Sequence, residues 1–201
     1  MGRTRAAHLG PDRRRPQVLD AALELAVEHG IRAVSMEAVA QHLGVTKPVV
    51  YACFGSRWEL LSALLTREEE RLASGLLSVL PTVMDFSQGE KIIVDGYQAL
   101  MSVVAQHSRS WQLIFASQAE PEVAERYQRL RQDVLERIIS RLRPGLLAWQ
   151  IDDLERKLPI IAEIFVAIGD AAVRSMLRAQ WPAQELGAFV ARILIAGLRQ
   201  I

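Results

Sequence analysis

Apolar residues recur at three- and four-residue intervals along almost the whole chain, and this periodicity constrains the fold more than any other feature. No two-residue hairpin turn and no sustained alternation of apolar and polar residues interrupts it. The reading is all-α, with about nine helices. Val18, Leu19, Ala22, Leu23 and Ala26 share one face of a first helix, which Gly30 ends and in which Pro16 falls in the first turn. Ser35 is the N-cap of a short second helix ending at Leu43-Gly44, with Val39, Ala40 and Leu43 facing inward. Thr46 caps a third, with Pro48 in its first turn and Gly55 beyond its end. Ser56 and Glu59 form a capping box that opens a fourth helix running towards Leu80, with Pro81 beyond it. Residues 82–90 read as a loop, and later helices are expected at about 88–107, 109–118, 121–141, 152–180 and 183–199. The breaks between them fall at Ser108, Pro121, Pro144-Gly145 and Pro182.

The 201 residues are half hydrophobic, enough for a sizeable core and too apolar for a disordered chain. The lone Cys53 allows no internal disulfide, which fits a reducing, cytoplasmic setting. No apolar leader opens the chain, and the longest apolar stretch, Ile160 to Val173, is interrupted by Glu163 and Asp170; no membrane span is expected. Net charge is only +1, but Arg3, Arg5, Arg13, Arg14 and Arg15 face Asp12 alone in the first fifteen residues. Such an arm either seeks anions, nucleic acid foremost, or solubilises the chain.

The chemistry-bearing segment is "GVTKPVVYACFGSRWEL", residues 44–60. Helix breakers confine a very short helix there, and with the preceding helix it forms a helix-turn-helix. A major groove admits one α-helix, which must bury one side on its partner and offer the other to base edges. Val45, Val50 and Phe54 supply the buried side; Lys47, Pro48, Val49 and Ala52 supply the other. Lys47 can donate to guanine or phosphate, Pro48 and Ala52 can touch thymine methyls, and the Thr46 and Tyr51 hydroxyls suit phosphate oxygens. Arg57, at the start of the fourth helix, is placed for a phosphate, and Ser35, Arg13 and Arg14 complete the expected DNA-binding set. An ordinary corner between two helices of a core is the competing reading.

Residues 15–64 resemble the N-terminal domain of TetR-family transcriptional regulators, through Ala21-Ala22, Gly30, Ser35, Val39-Ala40, Gly44-Val45-Thr46, Tyr51, Phe54 and Ser56-Arg57. Two positions depart from the family pattern: Cys53 stands where His is usual, which removes a phosphate contact, and Arg57 stands for Lys. Cys53 is either a redox-sensitive thiol or a packing residue; no second cysteine could resolve an oxidised one, which favours packing. The resemblance implies a repressor that binds a pseudo-palindromic operator in double-stranded DNA as a homodimer and is released by a small-molecule effector. It implies a flexible basic arm at 1–12, the DNA-binding domain at 13–57, a connecting helix at 58–80 and a ligand-binding and dimerisation domain at 81–201.

Within that last domain, Phe165, Gly169, Ala172 and Met176 on one helix and Leu186, Val190, Ile193, Leu194 and Gly197 on the next are expected at the dimer interface, an intrachain core being the alternative. Tyr97, Met101, Trp111, Phe115, Tyr127 and Phe165 are candidate pocket residues. Glu163 and Asp170 join them if they face a cavity, where they would favour a cationic or hydroxylated effector. Otherwise Asp170 pairs with Arg174, and Glu163 is solvated or interhelical. An enzyme finds little support: the sequence has no nucleophile elbow, phosphate loop or dinucleotide fingerprint. His8, His29, His42 and His107 are scattered, so no metal site and no cofactor is expected, and His29 is read as a C-terminal helix cap. A helical dimer that acts through protein contacts alone is a further alternative.

Overall fold

The computed structural model describes residues 10–79, 90–118, 120–148, 150–179 and 181–198. Most of the arm at 1–12, with Arg3 and Arg5, and most of the expected loop at 82–90 lie outside them. The described residues form nine α-helices and no strand. These are α1 (Pro11–His29), α2 (Met36–Leu43), α3 (Lys47–Cys53), α4 (Arg57–Val79), α5 (Lys91–Gln106), α6 (Ser108–Ala116), α7 (Pro121–Ala148), α8 (Leu154–Ala179) and α9 (Ala183–Leu198), with one 3-10 turn at Ile31–Ala33. Helices α1 to α3 pack on one another, and α4 leaves that group to pack on α5, α6 and α7. The most extensive packing is α5 on α9, and α8 closes against α7.

Local chemistry explains the short helices. The Ser35 hydroxyl accepts from the Ala38 amide at 3.0 Å and starts α2. Gly44 turns left-handed at φ 65° and ends it, while the Val45 amide reaches back to the Ala40 carbonyl at 3.0 Å. Ser56 accepts from the Glu59 amide at 3.1 Å, and Glu59 accepts from Gly55 at 2.8 Å, so the capping box forms with its return bond one residue early.

Four expectations are corrected. Helix α1 begins at Pro11, so Pro16 lies in its second turn rather than its first. His29 stands beside Glu28 at 3.7 Å, and the helix ends through the Gly30 amide on the Ala26 carbonyl. Helix α7 runs straight through Pro144-Gly145. Leu142 and Leu146 are fully buried on either side, and their packing outweighs the hydrogen bond that proline removes. Finally, Phe165, Gly169, Ala172, Leu186, Val190 and Leu194 are buried within the chain itself and cannot form a contact between copies. Both helices are apolar on more than one side, so periodicity did not say which side faced out. Of the expected set, Ile193 and Gly197 are exposed and Met176 is half-buried.

Candidate functional site

Helix α3 has seven residues, too few to persist without bracing. Val50 and Phe54 anchor its inner side, both almost fully buried, against α1 and α2. Arg15 ties down its end: Nη1 donates to the Cys53 carbonyl at 2.6 Å, and the guanidinium lies 4.2 Å above the Phe54 ring. Sequence reasoning placed Arg15 in an anion-seeking arm; an arginine on α1, 38 positions before Cys53 at the end of α3, carries no local signal of this contact. Arg13 is exposed, while Arg14 is half-buried and reaches Gln17.

With its inner side anchored, α3 presents Thr46, Lys47, Pro48, Tyr51 and Ala52 to solvent, with Val49 half-buried among them. Tyr51 keeps 51% of its surface exposed, unusual for a tyrosine with no packing reason to be there. Lys47 Nζ meets Glu37 Oε2 of α2 at 2.8 Å, and this carboxylate raises the lysine pKa. The pair is fully solvated, so a phosphate can displace it at little cost. The Thr46 side chain makes no cap bond. Pro48 has no amide to offer, and the Val49 amide uses the Thr46 carbonyl at 3.0 Å. The face therefore carries one cation, two hydroxyls and an apolar patch, the groups that phosphates and base edges accept.

Arg57 corrects the expectation of a guanidinium aimed at phosphate. Its Nε donates to the Val34 carbonyl at 2.6 Å, and Nη2 reaches those of Ile31 at 3.1 Å and Arg32 at 3.4 Å. It fastens the turn before α2 to the start of α4. Cys53 is buried, its Sγ lies 3.4 Å from the Val49 carbonyl, and burial pushes its thiol pKa up. That is the environment of a packing residue, with an unreactive thiol.

A second site lies among α4, α5, α6, α7 and α8. It is a cavity of about 110 Å³, lined chiefly by aliphatic side chains from Leu76 to Val173 and by Tyr97, Trp111, Tyr127 and Phe165. Asp170 also lines it. Three expected residues do not. Met101 is fully buried in the core, Phe115 stacks behind Trp111 at 5.5 Å, and Glu163 stands outside the lining. Sequence reasoning missed Arg131, which lines the cavity from α7. Its Nη2 donates to Glu163 Oε2 at 2.6 Å and its Nε approaches Asp170 Oδ2 at 3.4 Å. The Glu163 bond, first, and both carboxylate charges raise the arginine pKa. Asp170 thus pairs across helices, with Arg131 and with the Tyr127 hydroxyl at 2.6 Å, instead of with Arg174, which lies over the Phe115 ring. Only the presence of a basic residue within reach on α7 could have signalled this, and α7 carries several.

Two runs of consecutive residues connect the cavity to α1 and α4. On α6, Arg109 donates to Glu24 of α1 at 2.9 Å, Ser110 donates to the fully buried Glu68 of α4 at 2.5 Å, and Trp111 lines the cavity. On α7, Arg126 reaches Thr66 and Glu69 of α4, each at 3.1 Å, and Tyr127 lines the cavity. No described helix is long and apolar enough to cross a membrane, and no group of three or more metal-ligating side chains gathers among the described residues.

Comparison with known proteins bears on the segment that carries α3 and on the fold as a whole. The family model of bacterial regulatory proteins of the tetR family matches residues 18–64. The chain is 37% identical over 125 residues to the HTH-type transcriptional activator FasR of Mycolicibacterium smegmatis, covering 61% of this chain and 56% of that protein. It is 42% identical over 77 residues to the HTH-type transcriptional repressor KstR of Rhodococcus jostii, covering 34% of this chain and 36% of that one. The chain thus spans about half the length of the first relative and about a third of the second. The fold matches a TetR-like transcriptional regulator from Rhodococcus with TM-score 0.72 and 21% identity, over 92% of this chain and 96% of the other. It also matches the TetR family regulator PfmR of Thermus thermophilus, with TM-score 0.69 and 18% identity over 90% and 97%. The matched segment, with its braced short helix, thus carries the helix-turn-helix domain of the tetR family of bacterial regulatory proteins, and the all-α fold around it is that of TetR-like regulators.

Proposed function

We propose that the chain is a cytoplasmic, homodimeric transcriptional regulator that reads a pseudo-palindromic operator with α3 and responds to a small molecule held in the cavity. The observation that carries this reading is the outer face of α3, exposed and chemically mixed on a helix too short to serve packing alone. Thr46 and Tyr51 are assigned to phosphates, Lys47 to a base edge or phosphate, and Pro48, Val49 and Ala52 to apolar base contacts. The Ser35 hydroxyl, exposed Arg13 and Arg14 are assigned to the phosphate backbone. Arg57 is assigned to positioning, through the carbonyls it holds.

A second copy is the proposed occupant of the exposed apolar stripe formed by Ile160 and Ile164 on α8 and Phe189 and Ile193 on α9. Large apolar groups at i, i+4 on two adjacent helices suit a four-helix interface with a two-fold mate. Gly197 and Met176 lie at its margins. Such a dimer sets the two α3 helices about 34 Å, or a multiple of that, apart for binding. An effector that prefers a different separation lowers DNA affinity by linkage, and repression with release is the mode we propose. The two curated relatives are named one an activator and one a repressor, so the opposite sign is the competing mode.

Selection from random duplex DNA at two salt concentrations tests the reading. A pseudo-palindrome whose binding weakens at higher salt is expected. On that site Tyr51→Phe should weaken binding broadly, and Lys47→Ala should relax preference at one position. No enrichment by folded, dimeric protein would sink the DNA-reading role and favour a helical dimer that acts through protein contacts.

A further inference from the structure

We propose that Glu37 and Lys47 read one G·C base pair of the operator as a unit, Lys47 donating to the guanine while Glu37 accepts from its cytosine. This rests on the DNA-reading role of α3 and adds to it a residue of α2. Glu37 is the second residue of α2, and its Oε2 lies 2.8 Å from Nζ of Lys47, the first residue of α3. Their side chains are 72% and 51% exposed, so neither is held by packing and both can meet a ligand. Lys47 opens the reading face. Where its ammonium enters the groove with the pair intact, the Glu37 carboxylate arrives beside it.

The match is one of complementary edges. In the major groove guanine offers the N7 and O6 acceptors, and cytosine offers the N4 amino donor. Guanine O6 and cytosine N4 share a hydrogen bond, so they stand about 2.9 Å apart. The ammonium and the carboxylate stand 2.8 Å apart, donor facing acceptor and acceptor facing donor. Each can therefore take its base without leaving the other. Thymine or guanine in the cytosine's place turns an acceptor towards the carboxylate. Adenine there leaves the lysine only the thymine O4, with a methyl group where guanine has N7. If Lys47 instead swings to a phosphate, Glu37 is left in the groove without a donor. That separation costs little in water and much more where water is excluded. Glu37 thus subtracts from binding at every other base pair, and such a repulsive element confers specificity.

The operator selected by the full chain is remade with all four base pairs at each position of both half-sites. Binding is measured for the unsubstituted chain, Glu37→Ala, Glu37→Gln and Lys47→Ala. The unsubstituted chain should prefer G·C at one position by roughly five- to a hundredfold. Glu37→Ala and Lys47→Ala should relax that same position and leave the others unchanged. Glu37→Gln should move the preference there from cytosine to adenine, because an amide pairs with adenine N6 and N7. On an unselected duplex Glu37→Ala should bind more tightly and lose affinity more steeply as salt rises, because the freed lysine takes a phosphate. Glutamine keeps the size and helix propensity of glutamate, so the switch to adenine decides the matter if Glu37→Ala folds poorly. A base preference unchanged by either Glu37 variant, or relaxed by Glu37→Ala and Lys47→Ala at different positions, would overturn the proposal and leave the DNA-reading role of α3 standing. No selected sequence from the folded chain would overturn both.

Discussion

Gly187 sits in the fifth position of α9, where an added methyl would lie 2.6 Å from the Gln98 Cα, 2.7 Å from its nitrogen and 2.8 Å from the Tyr97 carbonyl oxygen. All three obstacles are backbone atoms of α5, so no rotamer change relieves them. The helices must part by roughly 1 Å to restore ordinary contact, along the most extensive packing in the molecule. Overpacking of this kind costs about 1–3 kcal/mol, and backbone obstacles put Gly187→Ala at the upper end. Alanine's better helix propensity returns about 1 kcal/mol. The net loss of about 2 kcal/mol lowers Tm by roughly 4–8 °C for a chain of this size. Gly96, inside α5 itself, has nothing within 4 Å of its added Cβ, so Gly96→Ala should keep the propensity gain and raise Tm by roughly 2–4 °C. Both melts are run at one protein concentration, because the Tm of a chain that self-associates depends on it. Gly187→Ala melting at or above the unsubstituted protein would refute the argument from close approach.

Arg57→Lys should lower stability by about 1–2 kcal/mol in urea titration, since an ammonium cannot span the Val34 and Ile31 carbonyls as the guanidinium fork does; an unchanged midpoint would return Arg57 to a purely DNA-facing role. Cys53 should react with a thiol reagent only as fast as the protein opens, because it is buried and its pKa is raised; rapid labelling of the native protein would contradict this. The bonds from His42 and then Arg109 hold the Glu24 pKa below its usual 4.5. Its contribution is therefore complete above that value and is lost as pH falls through the lowered native one, so Glu24→Gln should flatten the acid limb of a stability–pH curve. Ser110→Ala removes a bond to the buried Glu68 carboxylate and should cost about 1.5–3 kcal/mol, read from the urea midpoint.

What was legible in the sequence followed from local chemistry. Ser35, Gly44, Ser56 and Glu59 act through neighbours three or four residues away, so the boundaries of α2 and the start of α4 could be read directly. The α3 face was legible for the same reason: in a short helix between breakers, few apolar residues can be the buried ones. Long-range partners were not legible. Arg15 meets Cys53 across 38 positions, Arg57 meets Val34 across 23, and Arg131 meets Asp170 across 39. Each belongs to a residue type whose local reading, a solvated cation, is correct far more often. The interface expectation failed differently: α8 and α9 are apolar over wide arcs, and pattern alone could not divide inner from outer residues.

The placement of those long-range contacts bears on how one site could affect the other. Neighbouring residues on a helix point about 100° apart, so a run of two or three touches different structures. Arg109, Ser110 and Trp111 address α1, α4 and the cavity in turn, and Arg126 and Tyr127 address α4 and the cavity. The grip on α4 is through Glu68, fully buried and bonded also to Arg67 at 2.7 Å, which in turn holds Asp20 of α1. The buried Glu68 carboxylate cannot part from its partners by degrees, because a lost bond there leaves a desolvated charge. Displacement of α6 or α7 by an occupant should therefore carry α4 with it rather than be absorbed between them. Arg57, at the first residue of α4, holds the carbonyls just before α2, so the same motion reaches the helix pair that carries α3. In the proposed dimer, a ligand need bind only one arrangement of these helices better than another for its occupancy to change the separation of the two α3 faces.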